Sequence, residues 1–299
     1  VTMARKKGGG GGRQRARQRQ QYDELDKYPV MPPHAFARIV RDKQTLNIIY
    51  QIIEPPLTKK EQEQRDEIMD IFIRSLTANI EEIDSNPEAY VRTAMDKVIK
   101  SYSMKINKKS KSKLFYYLRR DLIGYGKMDV LMNDVNVEDI SLDGTNVPIF
   151  AYHRKFESVE TTCVWETDEE LESYVIKLAQ RCGKHISVAE PLLDATLMDG
   201  SRIVMKLGHE ISTRGSAFCI RRFKDDPFSP ADIVAFRTMS SLMVAYLWIA
   251  FQNEVPMLFV GGTASGKTTT LNAMCIFIPW QMKIVSIEST REVNIPQPN

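Results

Sequence analysis

One stretch of the chain has the residue types and spacing to hold phosphate: VGGTASGKTTTLNA, residues 260–273. Within it, Gly261-x-x-x-x-Gly266-Lys267-Thr268 is a complete P-loop pattern. Glycine lets a backbone wrap an anion closely, so that successive N–H groups point inward. A helix opening after the loop adds the partial positive charge of its N-terminus. In such a loop Lys267 reaches the β- and γ-phosphates of a nucleotide, and the Thr268 hydroxyl binds Mg²⁺. The candidate nucleotide-binding residues are Gly261, Gly262, Thr263, Ala264, Ser265, Gly266, Lys267, Thr268 and Thr269.

A second candidate follows in KIVSIESTREV. Lys283–Ile287 reads as a buried strand that delivers Glu288 to the carboxyl edge of a sheet, where open α/β sheets bind ligands. Beside the P-loop strand, Glu288 would orient or deprotonate an attacking water. A surface glutamate that merely closes a strand fits the same spacing. The four cysteines (Cys163, Cys182, Cys219, Cys275) and four histidines (His34, His153, His185, His209) are scattered. Their spacing suggests neither a zinc site nor a disulfide framework.

These residues need elements to position them. PMLFVG reads as a short buried parallel strand before the loop, and TTTLNAMCIFI as an apolar helix after it, ended by Pro279. Upstream, DDPFSPAD is a proline-rich connector, after which Ser229 caps and Pro230 opens a helix leading into the motif. The stretch at 233–251, IVAFRTMSSLMVAYLWIAF, is long enough to span a membrane, but Arg237, Ser240 and Ser241 interrupt it. Its unbroken part, Leu242–Phe251, is about half of the ~20 residues that a span needs. A buried helix packed on a sheet is expected there.

Farther upstream, TLNIIYQIIE at 45–54 reads as a strand before Pro55-Pro56. Thr58 and Glu61 form a capping box for a long amphipathic helix carrying Ile68, Ile71, Phe72, Leu76, Ile80 and Ile83. Asn86-Pro87 opens a second helix through Val91, Met95, Val98 and Tyr102. A third, KLFYYLRRDLI, stops at Gly124, and its basic flank Lys105–Lys113 reads as a solvated linker. From Val137 short β segments take over: VEDISLDG, VPIFAYH, SVETTCVW, SRIVMKLG and AFCIRRF. Among them Thr167 and Glu170 box the helix ELESYVIKLAQRC, closed by Gly183.

The 299 residues suffice for two domains, and 43% hydrophobic and 26% charged content is ordinary for a globular chain. The net charge of +3 is unevenly placed. Residues 1–21 hold seven basic side chains and no acid, and read as a disordered basic tail: a solvated leader, or a segment drawn to anionic lipid or nucleic acid. The rest carries 34 basic against 38 acidic residues, so no nucleic-acid-binding surface is expected overall. No apolar core follows the basic N-terminus, so no signal peptide is expected.

The stretches RRDLIGYGKMDVLMNDVNVEDISLDGTNVPIFAYHRKF, PLLDATLMDGSRI, STRGSAFCIRRF, VGGTASGKTTTLNA and IVSIESTREVNIP together resemble a known family. It is the secretion ATPase superfamily of type II secretion and type IV pilus motors, specifically its archaeal branch, which includes the archaellum motor. The resemblance implies an α/β chain of two domains: an N-terminal α+β domain and the start of a RecA-like P-loop domain. It implies ATP and Mg²⁺, a homohexameric ring, and a polytopic membrane platform protein as partner. The location implied is cytoplasmic, peripheral at the inner face of the membrane. IESTRE resembles the family's acidic box, usually Ile-Glu-Asp-Thr-Arg-Glu, whose first Glu is catalytic; this favours Glu288, while Ser289 stands where the family has Asp. The family also places arginines of its N-terminal domain near the nucleotide. Arg202, Arg221 and Arg222 occupy such positions, as does Arg214, which also reads as a plain turn residue.

The expected organisation is a tail at 1–21, a helical region at 22–129 and an α+β domain at 130–224. A linker with its connecting helix follows at 225–254, then an incomplete ATPase domain at 255–299. Only 45 residues follow Glu254, room for one strand–helix–strand unit, so the expectation is a fragment or a shortened product that does not turn over ATP by itself. The expected activity is that of an ATPase motor for a pilus-like filament, an archaellum or associated secretion. The alternatives are a conjugative DNA-transport ATPase and a non-catalytic ATP-binding ring subunit.

Overall fold

Nine strands form one sheet in the order β1-β2-β3-β6-β5-β4-β9-β8-β7 in the computed structural model, which describes residues 21–74, 86–222, 227–262, 265–288, 293–295 and 297. Residues 1–20, with all seven basic residues of the tail, lie outside the described residues, as do Leu76, Ile80 and Ile83. The strands are β1 (Tyr22–Met31), β2 (Ala35–Asp42), β3 (Ile48–Ile53), β4 (Val137–Leu142), β5 (Pro148–His153), β6 (Glu157–Val164), β7 (Leu192–Thr196), β8 (Arg202–Lys206) and β9 (Ala217–Arg221). All neighbours pair antiparallel except β3 and β6, which run parallel with Ile49 opposite Glu160 and Tyr50 opposite Thr161. Across that seam the Ile52 N–H also donates to Thr162 Oγ1 at 3.2 Å. The fold is mixed α/β.

The expectation of a helical region over 22–129 needs correction: its first three strands belong to the same sheet as the α+β domain. Strand β1 was illegible because it is an edge. Its register slips between Glu24 and Asp26 and between Pro29 and Met31, and charged side chains break its alternation. Bulges, charge and proline are what protect a sheet edge from further pairing.

Helices α1 (Lys59–Arg74), α2 (Pro87–Ser101) and α3 (Lys108–Leu122) pack as a bundle on Ile68, Phe72, Val91, Met95, Val98, Leu114 and Leu118. The caps form as their residue types require. Thr58 and Glu61 bond reciprocally, at 2.8 and 3.3 Å, and the Asn86 side chain accepts from Ala89 N–H at 3.0 Å. Each such cap stabilises its helix by about 1 kcal/mol. Lys108–Lys113, expected as linker, are the first turns of α3, begun by Asn107 accepting from Ser110 N–H at 2.8 Å. Their lysines hid the start of the expected third helix, whose apolar anchors, Leu114 and Leu118, come later. The bundle is fastened to the sheet by Glu54. This carboxylate takes the Arg120 guanidinium at 2.8 Å and the Tyr116 hydroxyl at 2.7 Å.

A 3₁₀ turn (Gly126–Met128) and α4 (Asp129–Asn133) lead into β4. Helix α5 (Asp168–Arg181) lies on the sheet through Leu171, Val175, Leu178 and Ala179, beside a fully buried Trp165. Glycine is obligatory in the β4–β5 turn. Gly144 has φ +115°, and a Cβ there would lie 2.2 Å from the Arg214 carbonyl oxygen.

One buried polar hub joins both parts of the sheet. Asp134 is 1% exposed, and its Oδ2 accepts from the hydroxyls of Tyr28 on β1 and Tyr50 on β3, each at 2.6 Å. His153 on β5 lies 2.9 Å from the Tyr28 hydroxyl, and its Nδ1 accepts from Lys155 N–H at 3.1 Å. With Nδ1 accepting, neutral His153 carries its proton on Nε2 and donates it to Tyr28. Burial and Asp134 together push both tyrosine hydroxyls far above their ordinary range, and burial holds His153 down, in the neutral form.

The C-terminal region departs most from expectation. The single buried helix expected across 233–251 is two: α6 (Pro230–Ala235) and α7 (Ser241–Gln252). Arg237 at φ +59° breaks the run, and Ser240 caps the second helix by accepting from Met243 N–H at 3.3 Å. Helix α7 does not bury its outer face, where Leu242 is 80% and Tyr246 73% exposed. No described helix is long and apolar enough to cross a membrane. Helices α6, α7 and α8 (Lys267–Cys275) share a small core of Ile233, Val244, Ala273 and Met274. The two expected strands, at 256–261 and 283–287, are not strands: no described ladder includes either, and Leu258, Val260, Val285 and Ile287 are 72–97% exposed. A parallel strand is held by neighbours on its edges and layers on its faces. Neither is present among the described residues.

Candidate nucleotide-binding site

The loop and its helix are in place without the strand. Gly266 has φ +85°, a conformation that side-chain-bearing residues rarely adopt, and the chain turns there into α8. Thr270 N–H donates to the Gly266 carbonyl at 2.9 Å, the first bond of the helix. A Cβ on Gly261 would sit 2.5 Å from Ser265 Oγ, so any larger residue there would have to push that side chain aside. The Gly262 carbonyl accepts from Lys267 Nζ at 2.6 Å and from Ser265 Oγ at 2.8 Å. The ammonium thus lies back across the loop. Thr268 is half-buried in the first turn of α8, and Thr269 is exposed beside it. Thr263 and Ala264 lie outside the described residues, as does Ser289.

Glu288 is half-buried, and its Oε2 accepts from Val293 N–H at 2.9 Å. The segment after it is bound to the P-loop helix. Asn272 Oδ1 accepts from Asn294 N–H at 3.0 Å, and Gln297 Nε2 reaches the carbonyls of Cys275, Ile276 and Ile278 at 3.1–3.2 Å. Asn272, Asn294 and Gln297 therefore tether the Glu288 segment to α8. The sequence reading missed them; the one signal was a polar Asn272 inside an apolar helix.

Arg202, Arg221 and Arg222 gather at one end of their strands. Arg202 on β8 and Arg221 on β9 are register partners. Two like charges so placed repel, and each has its own carboxylate. Arg202 clasps Asp194 at 2.6 and 3.2 Å, which holds that carboxyl below its usual range. Arg221 reaches Asp139 at 3.1 Å. Arg222 donates to the Asp134 carbonyl and, at 3.2 Å, to that of Val137. Arg214 sits in the turn packed on Gly144. The arginines are thus engaged within their own sheet, whereas the P-loop belongs to the C-terminal helices.

With this geometry in hand, comparison decides the family. Residues 157–299 match the family model "Type II/IV secretion system protein". Over those residues, just under half of its length, the chain carries that family's domain. "Uncharacterized protein MJ0900" of Methanocaldococcus jannaschii is 34% identical over 91% of this chain and 49% of its own length. "Type IV secretion system protein VirB11" of Bartonella henselae is 27% identical over 39% of this chain and 42% of its own. The chain spans about half the length of the curated relatives it matches. Among solved structures, the VirB11 ATPase of the Brucella suis type IV secretion system, in complex with sulphate, is 21% identical, covers 58% of each chain and has a TM-score of 0.32. A likeness that loose adds nothing to the fold described above. The P-loop lies inside the matched span, as do all four arginines and Glu288.

Proposed function

We propose that the chain is the ATP-binding part of a secretion-type motor that powers assembly of a pilus-like or archaellum filament, or the secretion tied to one. The observation that carries this is Gly266, left-handed at the mouth of α8, inside the family-matched span. The loop fits a phosphate chain: glycine where the backbone must turn or approach closely, helix N–H groups facing the mouth, and one ammonium at the rim. Gly261, Gly262, Ser265, Gly266, Lys267 and Thr269 would hold ATP, and Thr268 would hold Mg²⁺. When bound, Mg²⁺ neutralises charge on the β- and γ-oxygens. Thr263 and Ala264 complete the loop in the same proposal.

Glu288 is proposed to position or deprotonate the attacking water, and Arg202, Arg221 and Arg222 to stabilise phosphate charge from the chain's own or a neighbouring subunit. The proposed assembly is a homohexamer docked on a polytopic membrane platform protein, cytoplasmic and peripheral to the membrane. The VirB11 relative keeps export through a type IV machine as the second reading.

The test is ATP binding by wild-type and Lys267→Ala chains, read by calorimetry. Loss of a charge-assisted phosphate contact should weaken binding about tenfold or more. Affinity unchanged within about twofold would overturn the site.

A further inference from the structure

The α2–α3 turn is one-sided in charge. Between residues 97 and 113 there are seven lysines and no acid. Lys111 pairs with Asp96 at 2.7 Å, and Lys113 with Glu61 at 3.3 Å. Lys97, Lys100, Lys105, Lys108 and Lys109 are exposed and have no acidic partner among the described residues. Lys60 joins them across a shallow cavity that it lines with Lys105. The acids of α1, Glu63, Asp66, Glu67 and Asp70, follow further along that helix.

The turn is also fixed in shape. Ser103, at φ +49°, ends α2, and Met104 N–H donates to the Ile99 carbonyl at 3.0 Å. Met104 and Ile106 pack against the bundle core, and Asn107 caps the next helix. What is left in the turn is Tyr102, 59% exposed, between Lys100 and Lys105 in the chain. A phenol with an apolar body and a polar tip suits the headgroup layer of a bilayer, and lysines suit its negative surface. Nucleic acid would want a groove, or several aromatics for stacking. Among the described residues this turn exposes one aromatic, Tyr102.

We infer that the α2–α3 turn is a membrane-contact surface that seats on anionic lipid through Lys97, Lys100, Lys105, Lys108 and Lys109, with Tyr102 at headgroup depth. This deepens the peripheral location proposed above, yet binding is read without ATP, so its failure leaves the nucleotide site standing.

The test is co-sedimentation of the full chain with vesicles of phosphatidylglycerol and phosphatidylcholine in equal parts, at low salt. Each lysine near the surface contributes about fivefold to binding. Lys105→Gln/Lys108→Gln/Lys109→Gln should weaken binding by about a hundredfold, and Tyr102→Ser by less. Deleting residues 1–20 controls for the basic tail: the shortened chain should still bind, and should still lose binding with the triple change. The inference is overturned if the triple variant binds like wild type, if binding vanishes with the tail alone, or if pure phosphatidylcholine binds equally well. It is equally overturned if the tail-deleted chain prefers duplex DNA to the vesicles.

Discussion

Tyr50, Ile140 and Trp165 are buried to within 1% of complete exclusion, whereas Leu258, Val285 and Ile287 are 72–97% exposed. All six sit in segments whose sequence reads as strand. Tyr50 and Ile140 lie in a sheet in which every strand has a hydrogen-bonded neighbour, and Trp165 follows directly on its strand β6. The last three have none among the described residues. Apolar sequence therefore names a strand but does not make one; pairing does, because an unpaired extended segment leaves both its backbone and its apolar side chains to water. The P-loop shows the complement. Its turn and helix form anyway, because Gly266 and the bonds into Thr270 and Gly262 are local.

The largest test of this contrast is Asp134→Ala. It removes the acceptor of the buried Tyr50 hydroxyl and of the half-buried Tyr28 hydroxyl at once, and should cost about 3–5 kcal/mol. For a unit of this size that lowers the melting temperature by about 10 °C. Glu288→Gln, in the exposed region, should leave the same transition in place. Equal shifts from the two variants would erase the distinction between the regions.

Next in size is the cap at Asn86. Asn86→Ala should cost about 1 kcal/mol in chemical denaturation, since Ala89 N–H loses its acceptor. No measurable loss would mean that the bundle takes nothing from this cap.

A smaller effect comes with pH. His153 is held neutral in the folded state, so its proton uptake favours the unfolded chain. Stability from this group is complete above about pH 6.5 and is lost as the pH falls below it. His209, raised by its contact with Asp168 at the surface, contributes in the opposite sense. The measurement is therefore the difference between wild type and His153→Gln, which should lose the acid-side slope and keep the rest. Parallel pH profiles would remove His153 from the hub.

The smallest expected change in stability is at α7. Leu242→Lys and Tyr246→Lys should move the unfolding transition by no more than about 0.5 kcal/mol. Both should raise solubility, as they interrupt an exposed apolar face. A large loss of stability would show that this face is covered in solution.

The sequence shows best what is local. The box at Thr58/Glu61, the Thr167 cap, the Asn86-Pro87 start, the Ser229 cap and the loop glycines all act within four residues or so, and all are formed; the Glu170 side chain, expected to complete a box with Thr167, pairs with Lys127 instead. The strands from Val137 onward alternate cleanly because one face is core. Edge strand β1 was hidden by its charges, and the first turns of α3 by their lysines. The break at Arg237 was hidden by the apolar residues on either side. The Asp134 hub was beyond reach for another reason: its tyrosines lie 84 and 106 residues away in the chain. The tether from Gln297 to α8 is likewise a contact between segments, which no spacing rule anticipates.

The parallel seam between β3 and β6 is the narrowest join in the sheet, with two register pairs where the antiparallel neighbours β1 and β2 share eight. The hub lies across it, since Asp134 precedes β4 while Tyr28 and Tyr50 come from the far side. Strands β1–β3 are thus a leaf hinged on the remaining six, and Asp134 is its latch. Such a leaf exchanges its amide protons in a sub-global opening of its own, at lower free energy than β9 in the middle of the other six. Tyr50→Phe narrows the latch by one bond, and should speed exchange throughout β2 while leaving β9 unchanged.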